Sequence, residues 1–132
     1  MIGVTGTAER EIDAGLVDAF CALTGDTDPL HVDEAFAARS PYGARIAPGA
    51  LVIALMMAAA VDATGSLDVA VPSVGFDRIR HTAPVLLGDR LRATYAVVAF
   101  DGGRGHAEVR VTNQRGELVA VADHVFAVLE QS

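Results

Sequence analysis

Hydrophobic and polar residues change their period near the middle of this chain, and the change separates a helical half from a stranded half. Thr7 to Glu11 reads as a short strand. Asp13 stands where it can cap a helix from about Ala14 to Leu23, with Leu16, Ala19, Phe20 and Leu23 as its apolar stripe. Asp33 to Ala38 predicts a second, shorter helix, and Ser40-Pro41-Tyr42-Gly43 a loop. Ala50 to Ala63 is apolar on every side, which calls for a helix enclosed by protein all round. Beyond it the period shortens. Val69 to His81 reads as a strand, Leu91 to about Phe100 as another, and Asp101-Gly102-Gly103-Arg104-Gly105 as a turn. His106 to Thr112 alternates polar and apolar, as a half-buried strand does. Asn113 to Glu117 makes a further turn, and Leu118 to Leu129 a final strand. The short connections favour antiparallel pairing. The pattern predicts an α+β chain, without repeats, low-complexity tract or linker, hence one domain over 1–132.

Composition narrows the function classes. At 132 residues and 52% apolar, the chain is long enough to bury a core and too apolar to be disordered. The longest apolar run, Ile46 to Val61, is interrupted by Pro48 and Gly49 and is too short to span a bilayer. Met1 to Gly6 lacks a basic region followed by an apolar core, the mark of a signal peptide. The single cysteine, Cys21, can form no internal disulfide, so a reducing cytoplasm is the expected compartment. A net charge of -7 argues against nucleic acid as a partner. All ten basic residues are arginine, which excludes Schiff-base chemistry through lysine. Eight acids fall within residues 1–40, whereas Arg78, Arg80, Arg90 and Arg92 stand against only Asp77 and Asp89. That local basic patch is a candidate docking point for a phosphorylated cofactor or acidic carrier, or four solvated strand arginines.

Gly25-Asp26-Thr27-Asp28-Pro29-Leu30-His31 carries the candidate chemistry. Asp26 and His31 are five positions apart, a spacing that turns them to different faces of a helix. Gly25 loosens the backbone and Pro29 excludes the α region for Asp28, so the segment is expected to be a stiffened loop. A loop can aim both side chains into one cleft, where a carboxylate and an imidazole could share a water and move protons near pH 7. On residue types alone, a turn with Asx hydrogen bonds or a solvated acidic loop is the more ordinary reading, ahead of an active site. A calcium loop is disfavoured because His31 falls where its glycine should be, and no further ligands suggest zinc.

Phe20 to Ala37, which contains this segment, resembles the signature of the MaoC-like, (R)-specific enoyl-CoA hydratases. Ile46-Ala47-Pro48-Gly49 is similar to the family's segment ending in His-Gly ahead of the central helix. Pro84-Val85-Leu86-Leu87-Gly88-Asp89 is similar to its Pro-Val-x-x-Gly-Asp strand start. The likeness runs over roughly residues 7 to 129, with the three landmarks in order. It implies a hot-dog fold, a curved antiparallel sheet wrapped around one long buried helix. It also implies water addition to C3 of a trans-2-enoyl thioester, or the reverse dehydration of an (R)-3-hydroxyacyl thioester. The thioester would be carried on CoA or an acyl-carrier protein, with no metal or redox cofactor, and the working unit would be a homodimer. Carried over residue by residue, Asp26 and His31 handle the water and the proton, while the Gly49 amide polarises the acyl carbonyl. Pro48, Phe76, Arg78, Arg80 and His81 fall where relatives line the substrate site.

Three positions depart from the family pattern. Asp28 replaces an asparagine, Pro48 replaces the histidine before the glycine, and Met57 falls near a position where several hydratases carry a small polar residue. These changes bear on the acyl group accepted and leave the acid–imidazole pair and Gly49 in place. His106 and His124 are expected as surface or pocket-wall residues, Cys21 as a small core or surface residue, and Met56 as core. Two other functions fit the same fold. A hot-dog thioesterase would hydrolyse the acyl–sulfur bond, although its relatives usually lack the Asp-x-x-Pro-x-His spacing. A non-catalytic acyl-thioester-binding partner would be signalled by loss of Asp26 or His31.

Overall fold

The computed structural model describes residues 1–130. Five strands form one antiparallel sheet: β1 (Thr5–Glu11), β2 (Ser73–His81), β3 (Arg90–Asp101), β4 (Arg104–Thr112) and β5 (Leu118–Ala127), in the order β1-β3-β4-β5-β2. Between β1 and β2 come α1 (Ala14–Thr24), α2 (Pro29–Val32), α3 (Glu34–Arg39) and the long α4 (Gly49–Thr64). The sheet packs against α4, and this is the hot-dog arrangement expected.

The alternation along β3 and β4 makes the core. Leu91, Ala93, Tyr95 and Val97 point inward from β3, and Ala107, Val109 and Val111 from β4, all buried against Val52, Met56 and Ala59 of α4. Gly102 and Gly103, both at positive φ, close the β3–β4 hairpin. Gly6 has a different reason to lack a side chain, because a β-carbon there would collide with the backbone of Ala59 and Ala63 in α4. The Thr7 amide donates to the Asp62 carboxylate at 2.8 Å, which fastens the edge strand β1 to that helix.

Several expectations are corrected. Pro29 does not keep the whole loop extended. It holds Asp28 out of the α region (φ -52°, ψ 131°) but itself starts α2, at a position whose amide has no helical partner. On α1 the inward residues are Val17 and Cys21, flanked by half-buried Leu16 and Phe20, whereas Ala19 is exposed and Leu23 is 84% exposed. Leu23 lies six residues past Val17, about 240° around the axis, and therefore faces solvent. Helix α4 is not enclosed all round in one chain. Leu51, Val52, Met56, Ala59, Ala60 and Ala63 are buried, but Ala54, Ala58 and Val61 are exposed, because the sheet covers one side only. Strand β2 starts at Ser73, four residues later than expected; Pro72 has no amide for a ladder, and only an Ala70–Leu129 bridge precedes it. The same bridge is all that continues β5 past Ala127.

His124 is also corrected. It is 2% exposed, with the Tyr95 hydroxyl 2.7 Å from Nδ1 and the Ser73 hydroxyl 2.8 Å from Nε2. Burial lowers the His124 pKa and pushes the Tyr95 phenol up to about 12. Met56 is fully buried core, and Cys21 is buried with its thiol pKa raised, first by burial and then by the charges of Asp26 and Asp18. Among the described residues no helix is long and apolar enough to cross a membrane.

Candidate active site

The short helix α2 exists to present His31. Asp28 caps it by accepting the Leu30 amide at 2.9 Å, and Asp33 closes it while capping α3 through the Phe36 amide. His31 Nδ1 lies 2.8 Å from the carbonyl oxygen of Ile46. A carbonyl only accepts, so the proton of the neutral ring sits on Nδ1 and Nε2 carries a lone pair. That lone pair faces the Asp26 carboxylate, Oδ2 at 3.8 Å. The gap is too long for a direct hydrogen bond and short enough for one water to touch both groups. The His31 side chain is 14% exposed and that of Asp26 41%; His31 lines a cavity, and Asp26 stands behind it, outside the lining. Asp26 is aimed by the left-handed Gly25 (φ 79°) that ends α1, and its amide is received by Thr24 Oγ1 at 3.3 Å.

Arg45 holds this assembly from behind. Its side chain is 7% exposed; Nε donates to the backbone oxygen of His31 at 2.7 Å, and the guanidinium also reaches Glu34 and Asp18. Burial alone would pull the Arg45 pKa down, but the hydrogen bonds and charges of Asp18 and Glu34 outweigh it and leave it raised. A fixed planar fork suits three acceptors in different elements. Arg45 was not among the sequence candidates. Its one signal was an arginine set between Ala44 and Ile46-Ala47, apolar neighbours that announce burial.

A cavity of about 420 Å³ opens beside His31. Its polar lining is His31, Gly49, His81 and Thr82; Ile46, Val52, Ala83 and Val85 supply apolar walls, and Tyr42 contributes an aromatic ring. The wall is pinned where the Ala47 amide donates to the Val85 carbonyl at 2.8 Å, beside an Ile46–Leu86 bridge. Asp89 anchors the Val85 segment from below: buried, it accepts the Leu86 amide at 3.0 Å and Gln114 at 2.9 Å. Helix α4 begins at Gly49, which lines the same cavity as His31. Its N-cap residue Pro48 is buried and provides no side-chain cap, and the Gly49 amide donates to nothing among the described residues. Free amides at a helix start carry the positive end of the helix dipole.

The other candidates are dispersed. Asp28 is exposed and spent on capping, not buried beside Asp26. Met57 is half-buried against the core, two turns along α4, and does not line the cavity. Phe76 packs at a tilt of 36° against the buried His124, ring centroids 4.7 Å apart. Arg78, in a bulge of β2 at φ 54°, pairs with Asp123, and Arg80 donates to the Ile79 carbonyl at 2.7 Å. The expected basic patch is largely neutralised, since Arg90 and Arg92 both reach Glu9, at 3.4 and 3.7 Å. His81 alone of that group lies in the cavity. No three His, Cys, Asp or Glu side chains converge as a metal site among the described residues.

Known proteins with this arrangement point one way. The chain is 32% identical to the 3-hydroxybutyryl-CoA dehydratase of Methylorubrum extorquens over 124 residues, 91% of this chain and 74% of that protein. It is 28% identical to the (R)-specific enoyl-CoA hydratase of Aeromonas caviae over 130 residues, 94% and 92% of the two chains. The unliganded R-hydratase PhaJ1 of Pseudomonas aeruginosa superposes with a TM-score of 0.85 at 30% identity, over 99% of this chain and 83% of that one. The family described as MaoC like domain matches residues 4–118. With that match over most of its length and the sheet, helix and landmarks in place, the chain belongs to the MaoC-like domain family.

Proposed function

We propose that this protein is a hydro-lyase, an (R)-specific enoyl-thioester hydratase and 3-hydroxyacyl-thioester dehydratase. One observation carries the reading: the Nε2 lone pair of His31 and the Asp26 carboxylate face each other at 3.8 Å beside a cavity that the unpaired Gly49 amide also enters. The thioester oxygen accepts from Gly49 N–H, and the start of α4 favours the negative charge that grows on it. A water held by His31 and Asp26 forms its oxygen bond to C3 and gives up a proton to the pair. The C2–C3 π electrons move to C2, which takes a proton, so that hydrogen and hydroxyl have added and the pair ends as it began. Dehydration is the same path reversed. Asp28, Pro48 and His81 shape the site through the cap, the helix start and the cavity wall.

The substrate is an acyl group on CoA or on a carrier protein, entering past Tyr42. The smallest working unit in this reading is a homodimer of about 27 kDa, twice the 13.7 kDa chain. Supporting it are the exposed Ala54, Ala58 and Val61 flank of α4 and the unpaired edge of β2, surfaces that a second sheet could cover. A buried, unpaired Cys21 fits a reducing cytoplasm. Chiral analysis of the product formed from crotonyl-CoA tests the proposal: it predicts (R)-3-hydroxybutyryl-CoA, and an (S) or racemic product would oppose it.

A further inference from the structure

His81 ends β2 at the cavity wall, on the side where α4 begins. Its ring lies directly over Gly49: a β-carbon added there would meet Nε2 at 2.6 Å and Cε1 at 2.9 Å. The edge presented to Gly49 is therefore the one that carries Nε2. Neither ring nitrogen of His81 has a hydrogen-bond partner among the described residues. By contrast, both nitrogens of His124 are occupied, and Nδ1 of His31 is tied to Ile46. Pro48, the residue before Gly49, has neither an amide hydrogen nor a polar side chain to offer. Beside the Gly49 amide, His81 is thus the polar side chain nearest to the start of α4.

Resting on the hydratase reading above, we propose that His81 is a second donor to the substrate's thioester oxygen, acting with the Gly49 amide. An oxygen bound by that amide lies within reach of a ring nitrogen held over the same Cα. Nε2–H would donate to it, leaving His31 and Asp26 on the other side of the substrate to manage the water. Two donors aimed at one oxygen favour it as it gains charge more than in the ground state. The close fit also gives Gly49 a reason to be glycine, since any side chain would displace the imidazole.

The experiment compares His81→Phe and His81→Gln with the unaltered protein. Phenylalanine keeps a ring over Gly49 without a donor; glutamine restores an N–H without the ring. For hydration of crotonyl-CoA, H81F is expected to lose on the order of 10²-fold in kcat with little change in KM, the size of effect seen when one oxyanion donor is removed. H81Q should recover at least part of that loss. Infrared spectra of carbonyl-labelled crotonyl-CoA bound to Asp26→Asn, with and without H81F, give a reading independent of turnover and of folding losses. The carbonyl stretch should lie lower when His81 is present. Equal kcat in H81F, or an unchanged stretch, overturns the role of His81 while hydration by the unaltered protein keeps the hydratase reading intact. H81Q no more active than H81F would mean that a restored N–H does not replace the imidazole, and full activity in H81F with loss in H81Q would mean that the ring acts by shape; either would also overturn it. Absence of hydration by the unaltered protein across an enoyl-thioester panel would instead remove the reading on which the role rests.

Discussion

The Nδ1–H of His31 donates to the carbonyl of Ile46 at 2.8 Å, and this bond decides which nitrogen can act as a base. Nε2 is left without a proton and turned toward Asp26, so the neutral ring is in the form needed to accept one from water. Replacing His31 by alanine, or Asp26 by asparagine, is expected to lower hydration turnover by roughly 10²–10⁴-fold, the range for a positioned acid or base. Circular dichroism and the melting temperature should stay near those of the unaltered protein, since neither side chain is core.

Asp28 is expected to act through structure. Asparagine caps a helix as well as aspartate does, so Asp28→Asn should keep or improve activity. Asp28→Ala removes the acceptor for the Leu30 amide. It should cost about 1 kcal/mol of stability and loosen the turn that carries His31. Chemical denaturation and turnover, measured on both variants, check the pair of outcomes. Full activity in Asp26→Asn together with an inactive Asp28→Asn would mean the carboxylates are assigned the wrong way round.

How much of this could be read from sequence follows from which interactions are local. The alternation of His106 to Thr112 and the Asp101 to Gly105 turn are near-neighbour signals, and both elements appear where expected. Ala50 to Ala63, apolar but for Asp62, revealed a buried helix but not which side lies open, because a single polar residue near its end marks no continuous face. The Asp26–His31 pairing was legible as a motif. Its 3.8 Å gap was not, because it depends jointly on the left-handed Gly25 and on Pro29 starting a helix rather than prolonging a loop. Arg45 and His124 escaped for a common reason: their partners lie 11 to 27 and 29 to 51 residues away, and no local pattern encodes such contacts.

Arg45 gives a prediction of its own. Arg45→Met keeps the aliphatic bulk but strips the His31 carbonyl, Asp18 and Glu34 of their donor. A stability loss of about 1–3 kcal/mol is expected, moderated because Asp18 and Glu34 remain solvated. Turnover should fall further than stability alone explains, since the strut behind His31 is gone. Arg45→Lys should be intermediate, because a point charge cannot reach three acceptors. Denaturation curves and kcat for both variants, at a temperature where each is folded, test this.

The buried His124 gives the protein a predictable acid response. Burial sets its folded pKa below the ordinary value of 6.5, so on acidification the unfolded chain takes up this proton before the folded one does. The unfolded state then binds more protons, and stability falls as pH drops below about 6.5, levelling only below the lowered folded pKa. In urea titrations between pH 8 and 5, His124→Gln should show a shallower acid slope than the unaltered protein. An identical slope would assign the acid sensitivity to other groups.

The Asp26–His31 pair is expected to add water to a conjugated thioester and to leave its carbon–sulfur bond whole. The most direct test follows crotonyl-CoA and longer, branched and carrier-linked enoyl thioesters with two readouts together: ultraviolet absorbance for the conjugated double bond, and a thiol reagent for cleavage. Loss of absorbance without thiol release is the predicted result, slowed roughly 10²–10⁴-fold in Asp26→Asn and His31→Ala. Thiol release in step with substrate loss would contradict it in favour of a thioesterase, and tight binding with neither change would contradict it in favour of a non-catalytic thioester-binding protein.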